Sequence, residues 1–151
     1  MLQEGNRAPD IRVQTDTGEQ FRLSDLKGKR VVLYFYPKAD TPGCTVEACE
    51  FRDDLKAFAK KGVAVVGVSP DKPAAQAKFK EKYALPFTLL ADEEKAVAQA
   101  YGVWREKNMY GKKVMGIVRT TFVIGPDGKI EKIYGNVKAK GHATRVLEDL
   151  G

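Results

Sequence analysis

The sequence predicts an α/β fold in which a central mixed sheet carries helices on both faces. Three observations predict it. Residues 31–36, Val-Val-Leu-Tyr-Phe-Tyr, are continuously apolar or aromatic, the pattern of a strand buried on both sides. Segments of strand-like and helical periodicity then alternate along the chain, as they do when helices cover a sheet. The chain closes with two strand-like runs around Gly125-Pro126-Asp127-Gly128 and then an amphipathic segment, which reads as a hairpin followed by a helix.

The elements follow in order. Residues 11–13 and 20–23 flank the turn-like Thr15-Asp16-Thr17-Gly18 and predict a small N-terminal hairpin extension. Ser24 and Asp25 start a short helical turn closed by Gly28. The buried strand 31–36 leads through a turn-rich segment, Pro37 to Gly43, into a helix drawn over residues 44–60. At 100° per residue, Cys44, Ala48, Phe51, Leu55, Phe58 and Ala59 share one stripe of that helix,. Residues 63–68 form a second β-branched strand, ended by Ser69-Pro70-Asp71. Pro73 suits the first turn of a helix reaching Tyr83, with Ala75, Phe79 and the Lys82-Tyr83 pair facing inward,.

Residues 87–90 are a third strand. Asp92 is placed to cap a helix with Glu93 and Glu94 in its first turn, Ala96, Val97, Ala100 and Tyr101 on its inner face, and Gly102 as its stop,. Residues 103–118 read as a long irregular loop, a length often functional in a small domain. Arg119 opens the strand 120–124, residues 129–134 return, and a helix from about His142 to Leu150 covers the sheet with Ala143, Val146, Leu147 and Leu150. His142 reads as a surface residue. Trp104 and Tyr110 read as core or loop packing. By analogy of element order, the arrangement is that of a thioredoxin-like fold.

The chain of 151 residues is the size of one domain, taken as 1–151, and its 43% hydrophobic content supports a sizeable core,. No apolar run approaches the roughly 20 residues that span a bilayer, and Met1 to Asp10 lacks an apolar signal-peptide core,. A cytoplasmic protein with no membrane association is expected. The formal charge of +6 is spread rather than blocked, the densest cluster being Arg105, Lys107, Lys112 and Lys113. It reads as solvated surface, with a steering patch for an acidic protein as a lesser reading; nucleic-acid binding is not expected.

The only cysteines, Cys44 and Cys49, fall on one predicted helix. In an intracellular chain such a pair points to redox chemistry before a structural staple. A thiol in a first helical turn faces unpaired backbone N–H groups, which favour the nucleophilic thiolate. Pro42-Gly43 bends the chain into the helix and lets the backbone come close,. Cys49 lies about 140° around the helix and about 7.5 Å along it from Cys44. That places Cys49 on the wetter face, with Arg52, Asp53, Lys56 and Lys60. In an intact helix the pair is beyond disulfide reach. Either the two never pair, or the helix start unwinds when they do. Two thiols and the single histidine, His142, are too few and too far apart in sequence for a structural zinc site,. No nucleotide-binding motif follows any strand, so neither a metal nor a cofactor is expected.

Pro37-Lys38-Ala39-Asp40-Thr41-Pro42-Gly43-Cys44 resembles the active-site pattern of the peroxiredoxins: proline, three residues, threonine or serine, two residues, cysteine. The continuation Thr45-Val46-Glu47-Ala48-Cys49-Glu50 and residues 102–130 are similar to the bacterioferritin comigratory protein branch, also called PrxQ. This resemblance implies a thioredoxin-like fold and a thiol-dependent peroxidase. It implies that Cys44 attacks the peroxide and that Thr41 hydrogen-bonds it. Arg119 would stabilise the thiolate and orient the substrate, Pro37 would shield the site, and Glu47 would hold Arg119. Cys49 would resolve the sulfenic acid as an intramolecular disulfide, reduced in turn by thioredoxin or a similar dithiol. A resolving cysteine in the same chain requires no dimer, and a monomer is expected. The competing readings are a general thiol–disulfide oxidoreductase, against which the missing CxxC argues, and a non-enzymatic holdase or polyanion-binding protein.

Overall fold

A computed structural model describes residues 2–150, apart from the side chain of Met109. Seven strands form one mixed sheet: β1 (Arg12–Thr15), β2 (Gln20–Arg22), β3 (Arg30–Phe35), β4 (Val63–Ser69), β5 (Thr88–Ala91), β8 (Thr120–Ile124) and β9 (Ile130–Tyr134), in the order β2-β1-β5-β4-β3-β8-β9. The pairs β3–β4 and β4–β5 are parallel. The pairs β3–β8, β8–β9, β1–β5 and β1–β2 are antiparallel. The remaining strands, β6 (Trp104–Met109) and β7 (Lys112–Ile117), make a separate two-stranded ribbon.

The apolar run of β3 has an immediate structural reading. Its side chains alternate faces, and both faces are covered. Val31, Leu33 and Phe35 pack with Val66, Val68, Leu90, Phe122 and the inner face of α4 (Ala96–Ala100). Val32, Tyr34 and Tyr36 pack with Phe51, Phe58, Phe79, Ala143 and Val146. These five come from α1 (Pro42–Asp53), α2 (Leu55–Lys60), α3 (Pro73–Tyr83) and α5 (His142–Asp149). The mixed sheet with helices on both faces is therefore present, and the N-terminal hairpin joins its edge through β1 and β5.

Six local expectations are corrected. The helix drawn over residues 44–60 begins earlier, at Pro42, and breaks at Asp54. There the Asp54 carboxylate accepts a 3.0 Å bond from the Thr144 hydroxyl of α5, and aspartate favours such local breaks over a helix interior. The expected loop 103–118 is instead the β6–β7 ribbon. Tyr110 (φ 52°) and Gly111 (φ 79°) supply the two left-handed positions of a tight primed hairpin turn,. That turn leaves Tyr110 fully exposed rather than packed.

The helix after Asp92 starts only at Ala96, so Glu93 and Glu94 precede it. Asp92 still caps it, accepting the N–H groups of Val97 at 3.1 Å and Ala98 at 2.8 Å. On α3 the buried pair is Gln76 and Phe79, while Ala75 is half-buried and Lys82 exposed. Gln76 is drawn inward because it accepts the Tyr36 hydroxyl at 2.6 Å and donates to Leu90 O at 2.8 Å. His142, expected at the surface, is only 5% exposed. It lies 2.8 Å from the Thr121 hydroxyl and edge-on to Phe51 and Tyr134, because β8 and α1 close over the start of α5.

Candidate active site

β3 delivers the chain to the site, and the loop after it is tied down at two points. Ala39 N–H donates to the Asp71 carboxylate at 2.7 Å, and Asp71 also accepts the Ser69 hydroxyl at 2.6 Å. Asp40 adopts φ 59° and is held from α3 by the Lys82 ammonium at 2.9 Å and the Tyr83 hydroxyl at 2.7 Å. Lys82 and Tyr83 keep the Asp40 carboxyl below its usual range. The loop thus arrives at Thr41 in a fixed direction.

Thr41 is the residue before α1, extended at φ −97° and ψ 157°, and its hydroxyl donates to Lys38 O at 2.9 Å rather than capping the helix. The first helical bond runs from Thr45 N–H to Thr41 O at 2.8 Å. This leaves the N–H groups of Gly43 and Cys44 without an intrahelical partner. Cys44 is 1% exposed and packs with Tyr34, Tyr36, Ala48 and Phe51.

Arg119 comes from the two-residue link between β7 and β8. That link is fixed by Val118 N–H donating to Val103 O at 2.8 Å and by Arg119 O accepting Val137 N–H at 2.9 Å. Its guanidinium reaches both groups of the site. Nη2 donates to Cys44 Sγ at 3.2 Å and Nη1 to Glu47 Oε1 at 2.6 Å. Gly43 leaves room for this, since a Cβ there would sit 3.3 Å from Arg119 Nη2.

The carboxylate is fully buried, and its second oxygen, Oε2, has no hydrogen-bond partner. Burial pushes the Glu47 carboxyl up to about 7, against the opposing effect of Arg119. Burial works against the Arg119 charge too, but Glu47 and Cys44 outweigh it and hold the guanidinium above its ordinary value. The physical cause of the asymmetry is that the Arg119 guanidinium donates to two acceptors, Glu47 and Cys44, whereas Glu47 makes one bond and leaves an oxygen desolvated,.

Pro37, half-buried, lines an open cleft of about 560 Å³ together with Val118, Arg119, Asn136 and the β6 residues Arg105 to Asn108. A second hollow, of about 260 Å³, lies at the other end of β3 beside Val31, Leu23 and Ile124, away from both cysteines. Cys49 is half-buried on α1, and both thiols are free. Cys44, Glu47, Arg119 and, at the helix start, Thr41 are brought together, with Pro37 at the cleft. Cys49 is not; in the intact helix its Cα lies about 8–9 Å from that of Cys44. Lys107, which also lines the cleft, was absent from the sequence-derived site, because reading residues 103–118 as a loop gave it no position. The Tyr110-Gly111 turn was the signal that could have placed it.

A thiol in the first turn of a helix, in contact with a half-buried guanidinium on a thioredoxin-like sheet, is an arrangement suited to thiol-based nucleophilic chemistry,. The AhpC/TSA family matches residues 5–133. Peroxiredoxin Bcp of Bacillus subtilis is 48% identical over 149 residues, covering 99% of this chain and 95% of that protein. Peroxiredoxin Bcp of Escherichia coli K12 is 47% identical over 146 residues, covering 97% and 94%. Among solved structures, PrxQ of Xylella fastidiosa superimposes with a TM-score of 0.94 at 34% identity over 99% of this chain and 96% of that one. Xanthomonas campestris bacterioferritin comigratory protein, described for its alkyl peroxide reduction activity, gives 0.91 at 38% identity over 98% and 97%. The chain belongs to the AhpC/TSA family, in its peroxiredoxin Bcp/PrxQ branch. It is a thiol peroxidase, which acts on peroxides and draws its electrons from thiols.

Proposed function

We propose that Cys44 is the peroxidatic cysteine and Cys49 the resolving cysteine of a thioredoxin-dependent cycle that reduces hydrogen peroxide and organic hydroperoxides. The observation that carries this assignment is the contact between Arg119 Nη2 and Cys44 Sγ. The Cys44 thiolate attacks the terminal peroxide oxygen; an S–O bond forms as the O–O bond breaks. The departing alkoxide or hydroxide takes a proton and leaves as alcohol or water. Arg119 stabilises the thiolate and the charge developing on the departing oxygen. Thr41, at the helix mouth, hydrogen-bonds the peroxide. Pro37 screens the cleft from bulk water, and Glu47 holds the guanidinium through its single bond to Nη1,.

The Cys49 thiolate then attacks the Cys44 sulfenic acid. An S–S bond forms, the S–O bond breaks, and the hydroxyl leaves with a proton as water. A dithiol such as thioredoxin reduces this disulfide by exchange and is itself oxidised to a disulfide. Both cysteines belong to one chain, so turnover is assigned to a monomer and to one domain spanning residues 1–151. A cytoplasmic site of action fits a cycle that consumes reducing thiols, and no described helix is long and apolar enough to cross a membrane.

Intact mass and thiol counts after one equivalent of hydrogen peroxide test the assignment. Wild-type protein should lose both thiols and about 2 Da, whereas Cys49→Ser should gain about 16 Da on Cys44. The absence of rapid thiol loss from both proteins would return the chain to a non-peroxidatic role.

A further inference from the structure

Lys107 is half-buried on β6, whereas Arg105, Glu106 and Asn108 around it are exposed. Its stem lies flat across Gly116 of β7: a Cβ at 116 would stand 2.8 Å from Lys107 Cδ and 3.7 Å from Nζ. Lys107 lines the same cleft as Arg119 and Pro37. Among the described residues no carboxylate lies within ion-pair distance of it. Glu106, the acid lining that cleft, is 3.7 Å from Lys113 instead. Burial and then the Arg119 charge hold the Lys107 pKa below its ordinary value, while Cys44 acts in the opposite direction. A partly desolvated cation beside a second cation is stabilised by an anion entering between them.

We propose that Lys107, propped over Gly116 beside Arg119, is a specificity-determining residue that favours peroxides bearing a carboxylate or other negative charge over neutral peroxides of the same size. The inference rests on the assignment of Cys44 as the peroxidatic thiol. Arg105, exposed on the same cleft, adds to the field, but only Lys107 is held in a fixed direction by a glycine bed. The cleft walls confine the field, and salt screens it.

The test compares a tertiary hydroperoxide carrying a short-chain carboxylate with its methyl ester. Oxidation of reduced full-length protein is followed by stopped-flow fluorescence of Trp104, the single tryptophan. The acid-to-ester rate ratio in wild-type protein should fall as salt is raised. In Lys107→Met the ratio should drop about three- to tenfold, the scale of one screened charge pair. Lys107→Arg should retain most of it. Gly116→Ala, which displaces the stem without changing any charge, should lose part of it. A ratio unchanged in Lys107→Met, or acid and ester rates that fall by the same factor, overturns the proposal. Hydrogen peroxide run alongside separates the two readings: if the wild type consumes neither compound but reacts with hydrogen peroxide, this inference alone fails, and if it reacts with none of the three, the peroxidatic assignment fails and this inference with it.

Discussion

Arg119 Nη2 stands 3.2 Å from Cys44 Sγ, and the two meet across 75 residues of sequence. The same guanidinium is anchored by a 2.6 Å bond from Nη1 to Glu47, so its position relative to the sulfur is fixed before any substrate arrives. Fixed donors of this kind contribute most where charge develops in a reaction. Arg119→Met should therefore slow single-turnover oxidation of Cys44 about 100- to 1,000-fold. Arg119→Lys should recover part of the loss, because an ammonium supplies the charge but cannot span both partners in a planar fork. Stopped-flow rates with hydrogen peroxide measure both, and a wild-type rate in Arg119→Met would remove Arg119 from the chemistry.

Glu47 makes folding stability depend on pH in an unusual direction for a carboxylate. Its folded value is raised from 4.5 to about 7 by burial. Between those values the folded state keeps a proton that the unfolded state has released. Stability from this group is present below the unfolded value and is lost as pH rises through the folded one, by about 3 kcal/mol at most. Glu47→Gln keeps an acceptor for Arg119 and should abolish this loss. Urea midpoints between pH 4.5 and 7 would show whether it does.

His142 acts in the opposite sense over an overlapping window. Burial, reinforced by the Arg145 and Arg119 charges, lowers it from 6.5 to about 4. The unfolded state binds the proton first, so stability falls as pH drops from 6.5 toward 4. The two groups offset each other between about pH 4.5 and 6.5. Wild-type stability should be nearly flat there. Glu47→Gln should make it rise with pH, and His142→Gln should make it fall. Identical slopes in all three proteins would show that neither buried group governs this range.

The Cys44–Cys49 disulfide cannot form on an intact α1, since both cysteines lie within the continuous segment Pro42–Asp53,. Oxidation should therefore unwind the helix start. Amide exchange across residues 42–52 should quicken at least about tenfold in the oxidised protein, the signature of a local opening. Cys49→Ser treated with peroxide should keep the protection of the reduced form. Equal protection in reduced and oxidised wild type would mean that Cys49 finds another partner.

Gly67 sets a steric limit in the middle of β4. A Cβ there would meet Tyr34 Cζ at 2.9 Å and Leu89 Cδ2 at 3.0 Å. Tyr34 is stacked on Phe51 with ring centroids 4.6 Å apart, and Leu89 is fully buried, so neither side chain has room to yield. Gly67→Ala should cost about 1–3 kcal/mol in chemical denaturation. A cost below about 0.5 kcal/mol would mean that the Tyr34 ring shifts freely.

Element type was readable where one interaction dominates. The uninterrupted apolar run at 31–36 could only be stable with both faces covered, and Pro42-Gly43-Cys44 marked a helix start. Reading failed where a distant partner decides. Nothing local to His142 announces Thr121, Phe51 and Tyr134 around it. Nothing local to Gln76 announces that the Tyr36 hydroxyl and the Leu90 carbonyl engage its amide. The β6–β7 ribbon was lost because its sequence is too polar for a strand signal, and only the left-handed pair Tyr110-Gly111 betrays the turn.

By itself the sequence determined the class of fold, the thiol pair and its five-residue spacing, because periodicity and helix geometry are local properties of a chain. Tertiary structure decided the electrostatics. Whether Arg119 touches a sulfur or water depends on how the β7–β8 link is pinned to Val103 and Val137. Whether Glu47 is an ordinary carboxylate or one raised toward neutrality depends on the packing that buries it beside a single donor. Desolvation and charge proximity are set by atoms far apart in sequence and close in space, so they exist only once the sheet and its helices have closed.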